Sequence, residues 1–257
     1  MKDIMRLSFA AIFLGCAVFS AITCGDRMGM GTTAVKEGTF KAIDRYEWVV
    51  LVHGLLSSPR AMRRISRALE REGFRVLNFK YDSRNLSIRE AAQQLREAIS
   101  EGIPQGARKI HFVTHSLGSI VVRYYLSESM PPQMGRFVMI APPNHGSTWG
   151  RILTDTIPGF EYVMGIAGSE VRSDPGLRLP GPPSCEFAVI AGGTGGTRGI
   201  NPLIPGDNDG TIAVSETRLE GMRDHLVVKG QHTLLLFHPK VIANVISFLS
   251  TGAFLYK

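Results

Sequence analysis

From residue 48 almost to the end of the chain, short apolar runs rich in β-branched residues alternate with longer amphipathic stretches. No other feature narrows the possible folds as far. The first run is WVVLVH at 48–53, and others follow at 74–81, 109–114, 137–141 (FVMIA), 187–191 (FAVIA) and 226–229. Runs this short, bounded by turn residues and mostly apolar, read as strands of a sheet, the fully apolar ones buried inside it. Between the first two, residues 59–72 carry Ala61, Ile65 and Leu69 four apart, with Arg and Glu on the opposite face and Gly73 at the end. That spacing predicts an amphipathic helix. Residues 88–100 repeat the pattern through Ile88, Ala91, Leu95 and Ile99, and 117–127 and 239–249 complete the helical set. Strands separated by helices of about ten or more residues pair in parallel through right-handed crossovers. The expected fold class is therefore α/β, with a doubly wound, mostly parallel sheet flanked by helices.

The alternation begins late. Lys2 and Arg6 precede an uncharged run, LSFAAIFLGCAVFSAITC, at residues 7–24. Positive charge, then an apolar stretch, then small residues is the layout of a secretory signal peptide. About 18 apolar residues is also the lower end of membrane-spanning length, so a membrane anchor is the competing reading of residues 1–24. Ala21-Ile22-Thr23 before Cys24 only partly matches a lipoprotein processing site, which leaves acylation of Cys24 as a weaker third option. The expected location is outside the cytoplasm: periplasmic, membrane-held or secreted. Residues 25–40 are Gly-rich and unpatterned, as in a tether, and 41–257 form one domain. Residues 142–186 interrupt the rhythm with seven prolines, from Pro142 to Pro183, and several glycines. A segment this long inside a compact domain is usually functional, and 144–184 are expected to form a lid-like insertion.

Composition removes several function classes. Three cysteines are too few for a disulfide-stapled scaffold or a four-Cys zinc module, and Cys185 stands alone once residues 1–24 are set aside. No paired spacing such as H-E-x-x-H occurs, so neither a metal nor another cofactor is expected. The formal charge of +7 comes from 29 Lys and Arg against 22 Asp and Glu. On the helix at 59–72 the arginines alternate with Glu70 and Glu72, as on a solvated face, and no aromatic interleaving or nucleic-acid module accompanies them. Nucleic acid is not an expected partner. Contact between the N-terminus and an anionic membrane is.

The chemistry-bearing segment is KIHFVTHSLGSIVVRYY at 109–125. A strand runs into Thr114-His115-Ser116-Leu117-Gly118 and a helix leaves it. A sharp turn there presents the Ser116 hydroxyl at the carboxyl edge of the sheet and at the positive end of the next helix. Ser116 read as a plain helix N-cap is the alternative.

This segment resembles the nucleophile elbow of the α/β-hydrolase superfamily, and of its lipases and esterases in particular. Thr114 departs from the G-x-S-x-G pattern, standing where the first glycine is expected. Other pieces follow in the family's order over about residues 46–250. His53-Gly54 resembles the turn that carries one oxyanion-hole amide. APPNHGS at 141–147 resembles the P-x-x-G-S turn after the next family strand, the sixth in the family's counting. Asp209-Gly210-Thr211-Ile212 looks like the acid loop, and His232 stands between a strand and the last helix.

The resemblance implies that Ser116 is the nucleophile, His232 the general base and Asp209 the acid that orients it. The backbone N–H groups of Leu55 and Leu117 would hold the oxyanion. The implied reaction is hydrolysis of a carboxylic ester, from a small molecule or a lipid, through an acyl-enzyme. An acyltransferase or lipid deacylase on the same residues is the first competitor, since fold and constellation do not separate the two. A membrane-held, non-catalytic binding protein on this scaffold is the second.

Each assignment has a rival. Asp207 shares the polar loop of Asp209, although Asp209 fits the signature better. His238 competes with His232 but directly precedes Pro239, as at a helix entry. His115 and His111 read as packing residues. GGTGG at 192–196 lacks a following Gly-Lys-Ser/Thr and reads as a turn. Ile152, Leu153, Ile157, Phe160, Tyr162, Val163 and Met164 are candidates for an acyl pocket or lid, or for ordinary core.

Overall fold

The structure is a computed structural model and describes residues 47–175 and 177–255. The expected leader, anchor or acylation within 1–24, the tether at 25–40 and the domain start at 41 lie outside the described residues. The described residues fall within one compact unit.

Six strands form one sheet: β1 (Glu47–Val52), β2 (Arg75–Phe79), β3 (Lys109–His115), β4 (Met134–Ile140), β5 (Phe187–Gly193) and β6 (Asp224–Lys229). Their order is β2-β1-β3-β4-β5-β6, and every pairing is parallel. The helices are α1 (Arg63–Arg71), α2 (Ile88–Gly102), α3 (Leu117–Glu128), α4 (Thr148–Thr156), α5 (Phe160–Glu170), the single turn α6 (Val214–Thr217) and α7 (Pro239–Thr251). A 3-10 turn at Pro59–Met62 precedes α1, and another at Thr233–Phe237 precedes α7.

The sheet is buried on both faces because alternate side chains serve two cores. Val50 and Val52 of β1 face a cluster with α2 and α3, through Leu95, Ile99, Ile120 and Val121. Val49 and Leu51 face a second cluster with α1 and α7, through Ile65, Leu69, Val245 and Phe248. Helix α2 starts where Ser87 and Glu90 cap one another reciprocally. Burial of these apolar side chains is the dominant stabilising contribution in a sheet of this kind.

The insertion between β4 and β5 is not the unpatterned loop that its Pro and Gly content implies. Ser147 caps α4 by accepting from the Gly150 N–H at 3.0 Å. Gly159, at φ 78°, turns the chain into α5. Within the insertion Leu153 is buried, whereas Tyr162 and Val163 are 75% and 47% exposed.

Strand order fixes where a ligand can reach the sheet. The chain passes from β1 outward to β2, then returns to place β3 on the other side of β1. In open α/β sheets the crevice at such a reversal, at the carboxyl ends of the strands, is where ligands bind. Here those ends lead into the turn after Val52 and into Ser116.

Candidate active site

The β1 turn and the elbow after β3 touch. Ser116 has φ 52° and ψ −126°, a conformation with positive φ that a non-glycine residue rarely adopts. Its N–H donates to the Ile140 carbonyl at 2.9 Å and its carbonyl accepts from the Ser119 N–H at 2.9 Å, so β4 and the first turn of α3 hold the bend. Gly118 is dictated by space: a Cβ there would stand 2.5 Å from the Val52 carbonyl oxygen and 2.6 Å from that of His53. Behind the elbow, Thr114 is fully buried and its hydroxyl is 2.7 Å from that of Ser119. The residue that departs from the family pattern thus satisfies its extra oxygen with the serine five positions later.

Leu117 opens α3, so its N–H is one of the first-turn amides without an intrahelical acceptor. The Leu55 N–H has no acceptor among the described residues. The turn that carries it is held from below. His53 is buried, its Nδ1 lies 2.9 Å from the Gly54 carbonyl, and its ring stacks on Tyr81 at 4.5 Å. The Tyr81 hydroxyl donates to the His53 carbonyl at 2.9 Å. Burial pushes the Tyr81 hydroxyl pKa up and that of His53 down, so both stay neutral near pH 7.

Asp209 and His232 are joined. His232 Nδ1 lies 2.7 Å from Asp209 Oδ2, and the His232 N–H donates to the Asp209 carbonyl at 3.0 Å. The other carboxylate oxygen, Oδ1, accepts from the N–H groups of Thr211 and Ile212 at 3.0 and 2.8 Å. Asp209 is therefore fully engaged, with its side chain wholly buried, while that of His232 is 12% exposed. Asp207 is spent elsewhere. It accepts from the Thr194 N–H and hydroxyl and from the Gly195 N–H, and so ties down the glycine-rich turn at 192–196.

The remaining histidines sort by their partners. His238 Nδ1 accepts from the Lys240 N–H and caps α7. His111 is buried between Glu47 and the Arg136 N–H, and His225 lies 3.0 Å from the Thr217 hydroxyl. His115 Nε2 is 3.2 Å from the His232 carbonyl, which brings the elbow and the histidine loop together. The Ser116 hydroxyl itself has no hydrogen-bond partner among the described residues.

Several supporting residues carry no motif. Glu216 is buried and bridges two segments: Oε1 accepts from the Thr148 N–H at the start of α4, and Oε2 from the Ala213 N–H beside the acid loop. Arg123 is buried too. Its guanidinium donates to the side chain and carbonyl of Asn144 and to the carbonyls of Pro180 and Gly181. Burial lowers its pKa to about 10, no carboxylate pairing with it among the described residues. Neither residue is detectable in the sequence, because the Thr148 N–H that Glu216 accepts from and the Asn144, Pro180 and Gly181 groups that Arg123 donates to lie far away along the chain. Over the site, α5 breaks at Gly165, whose φ is 68°, and the Ile166 N–H donates to the Arg84 carbonyl at 2.9 Å. A Cβ on Gly168 would lie 2.9 Å from Leu55, so this half of α5 rests on the β1 turn.

Among the described residues, no group of three or more His, Cys, Asp or Glu is placed to hold a metal ion, and no helix is long and apolar enough to cross a membrane. Cys185 is free, and burial pushes its thiol up to about 12.

Comparison with known proteins bears on the fold and the family. Residues 42–144, which include β1, Leu55 and the elbow, match the family described as "Putative serine esterase (DUF676)". No curated protein sequence matches the chain. Among solved structures, the mature lipase BlEst2 of Bacillus licheniformis is similar at 18% identity and a TM-score of 0.55, over 78% of this chain and 88% of the lipase. The metagenomic carboxyl esterase MGS0156 is similar at 17% identity and 0.61, over 81% and 71%. Phospholipase PlaB of Legionella pneumophila is similar at 14% identity and 0.58, over 80% of this chain and 59% of the phospholipase. Identities this low speak to fold, and the fold agrees with the parallel sheet and the elbow already described. On these grounds the chain has the α/β-hydrolase fold, and its residues 42–144 match the family described as a putative serine esterase.

Proposed function

We propose that this protein is a serine hydrolase that cleaves carboxylic esters. Ser116 attacks the carbonyl carbon. His232 Nε2 takes the serine proton and returns it to the leaving alcohol, and Asp209 holds the imidazole in the Nδ1–H tautomer and stabilises the imidazolium. The N–H groups of Leu55 and Leu117 receive the negative charge that develops on the carbonyl oxygen. Water then attacks the acyl-serine by the same route, which regenerates the enzyme. The observation that carries this reading is the 2.7 Å contact between Asp209 and His232, beside a serine held at positive φ. Catalytic hydrogen bonds to a nucleophile commonly tighten only in the substrate complex.

The exposed apolar residues around the insertion favour acyl groups over charged substrates. The signal-like pattern at 1–24 supports export or retention at a membrane, which we propose with the activity. The test is hydrolysis of p-nitrophenyl acyl esters of increasing chain length by the full chain, with fluorophosphonate labelling alongside. Ser116→Ala is expected to abolish both. Equal hydrolysis by the variant would sink the assignment, and labelling without hydrolysis would favour acyl transfer to an alcohol.

A further inference from the structure

The proposed mechanism leaves one buried ionisable side chain unused next to it. His115 ends β3, directly before Ser116, and is 4% exposed. Its Nε2 lies 3.2 Å from the main-chain carbonyl of His232, a residue 117 positions away, and the two imidazoles lie 4.7 Å apart between centroids at 47°. Its Nδ1 is buried without a partner, on the side of Gly54: a Cβ on that glycine would stand 3.1 Å from Nδ1 and 3.0 Å from Ser116 Cβ.

The tautomer follows from these neighbours. A carbonyl oxygen only accepts, so the imidazole nitrogen facing it must carry the proton. Burial first, and the charges of His232 and His53 after it, hold the pKa of His115 well below its ordinary value, although the hydrogen bond to the His232 backbone raises it. A neutral ring has one N–H, and that proton is therefore on Nε2. The Nδ1 lone pair lies on the side of Gly54, with no hydrogen-bond partner among the described residues. An ordinary packing residue in this position would be apolar. An imidazole here leaves one buried acceptor unpaired, an arrangement that costs stability.

We propose that His115 is a positioning residue: through its Nε2–H it seats the His232 main chain against the elbow, and so sets the height of the base over the nucleophile. The inference rests on the roles proposed for Ser116 and His232. Both ends of the catalytic step are then tied to a single residue. Ser116 is its covalent neighbour, and His232 is its hydrogen-bond partner. Asp209 fixes the rotation of the His232 ring, and His115 fixes the position of the backbone from which that ring hangs. Because the contact is to main chain, it holds whichever protonation state His232 passes through during turnover.

The test compares His115→Phe, which keeps the volume and removes the donor, with His115→Gln, whose amide can donate to the same carbonyl. Purified full-length proteins are assayed with a short p-nitrophenyl ester, and Ser116→Ala serves as the inactive control. His115→Phe is expected to lower kcat about 10- to 100-fold with KM within about twofold, as a small displacement of a catalytic group does. His115→Gln should recover a large part of that loss. Equal losses in the two variants, or wild-type kcat in His115→Phe, would overturn the proposal. Imidazole-nitrogen NMR of the wild-type chain gives a readout independent of turnover: His115 is expected in the Nε2–H tautomer at neutral pH, and an Nδ1–H tautomer would also overturn it. If the wild-type protein neither hydrolyses esters nor reacts with a fluorophosphonate, the enzymatic reading fails by itself, and the NMR result still decides the contact.

Discussion

Asp207 and Asp209 lie two positions apart in one polar loop, and each satisfies its carboxylate in a different way. Asp209 spends one oxygen on the N–H groups of Thr211 and Ile212 and the other on His232. Asp207 spends both on Thr194 and Gly195. If the proposed mechanism holds, Asp209→Asn leaves the loop in place but favours the wrong imidazole tautomer, and kcat should fall about 10⁴-fold. Asp207→Asn should leave kcat within about tenfold while lowering the unfolding temperature, because it disturbs a turn and not a proton path. Steady-state kinetics and thermal unfolding of the two variants separate the roles. A larger kcat loss in Asp207→Asn would reverse the assignment. In the sequence both residues are simply turn formers beside glycine, and the signature D-G-x-I favours Asp209 only by resemblance. The discriminating fact is which donors converge on each carboxylate, and those donors come from elsewhere in the chain. His238 shows the opposite case. Its position before Pro239 already marks a helix entry, and its Nδ1 does cap α7, because capping is a local interaction.

The helices of the insertion were hidden by composition. Proline and glycine density between residues 142 and 186 reads as loop, yet α4 starts at a serine cap and α5 at a left-handed glycine. Their seats are tertiary: Glu216 holds the first turn of α4 to the acid-loop side, and the Arg84 carbonyl fills the break in α5 at Gly165. That break admits no side chain, since a Cβ on Gly165 would meet the Arg84 carbonyl oxygen at van der Waals overlap, on a backbone already at φ 68°. Gly165→Ala should therefore cost about 2 kcal/mol or more, equivalent to a fall of about 4–8 °C in Tm. It should also expose the chain near Tyr162, which limited chymotrypsin digestion would report as faster cleavage there. Unchanged Tm and unchanged digestion would mean that the break relaxes freely.

Taken as one molecule, the protein holds four histidines below their ordinary pKa: His53, His111, His115 and His225. Burial is the first cause in each, and for His225 the value falls to about 4. The unfolded chain binds these protons near pH 6.5, before the folded one does, so the stability they contribute is present above about 6.5 and is lost as pH falls through the folded values. Stability measured by urea unfolding should decline from pH 7 toward 4.5, with carboxylate protonation adding to the decline only near the lower end. His225→Gln should flatten part of that slope. A flat profile between pH 7 and 4.5 would contradict the neutral, buried assignment.

The strands, the main helices and the Ser116 bend were legible because each is written locally. Period two and period 3.6 are properties of neighbouring residues, and the elbow needs only a strand, a small-residue turn and a helix in succession. Gly118 was legible as a small residue but not as a necessity, since the oxygens it avoids belong to Val52 and His53. The strand order that puts β1 beside β3, the engagement of Asp209 and not Asp207 with His232, the two helices of the insertion and the hold of His115 on His232 were not. Each depends on groups far apart along the chain, such as residues 115 and 232, which meet only when both cores close over the sheet. A linear pattern records what one segment prefers, and folding decides which donors and acceptors, buried together, must satisfy one another.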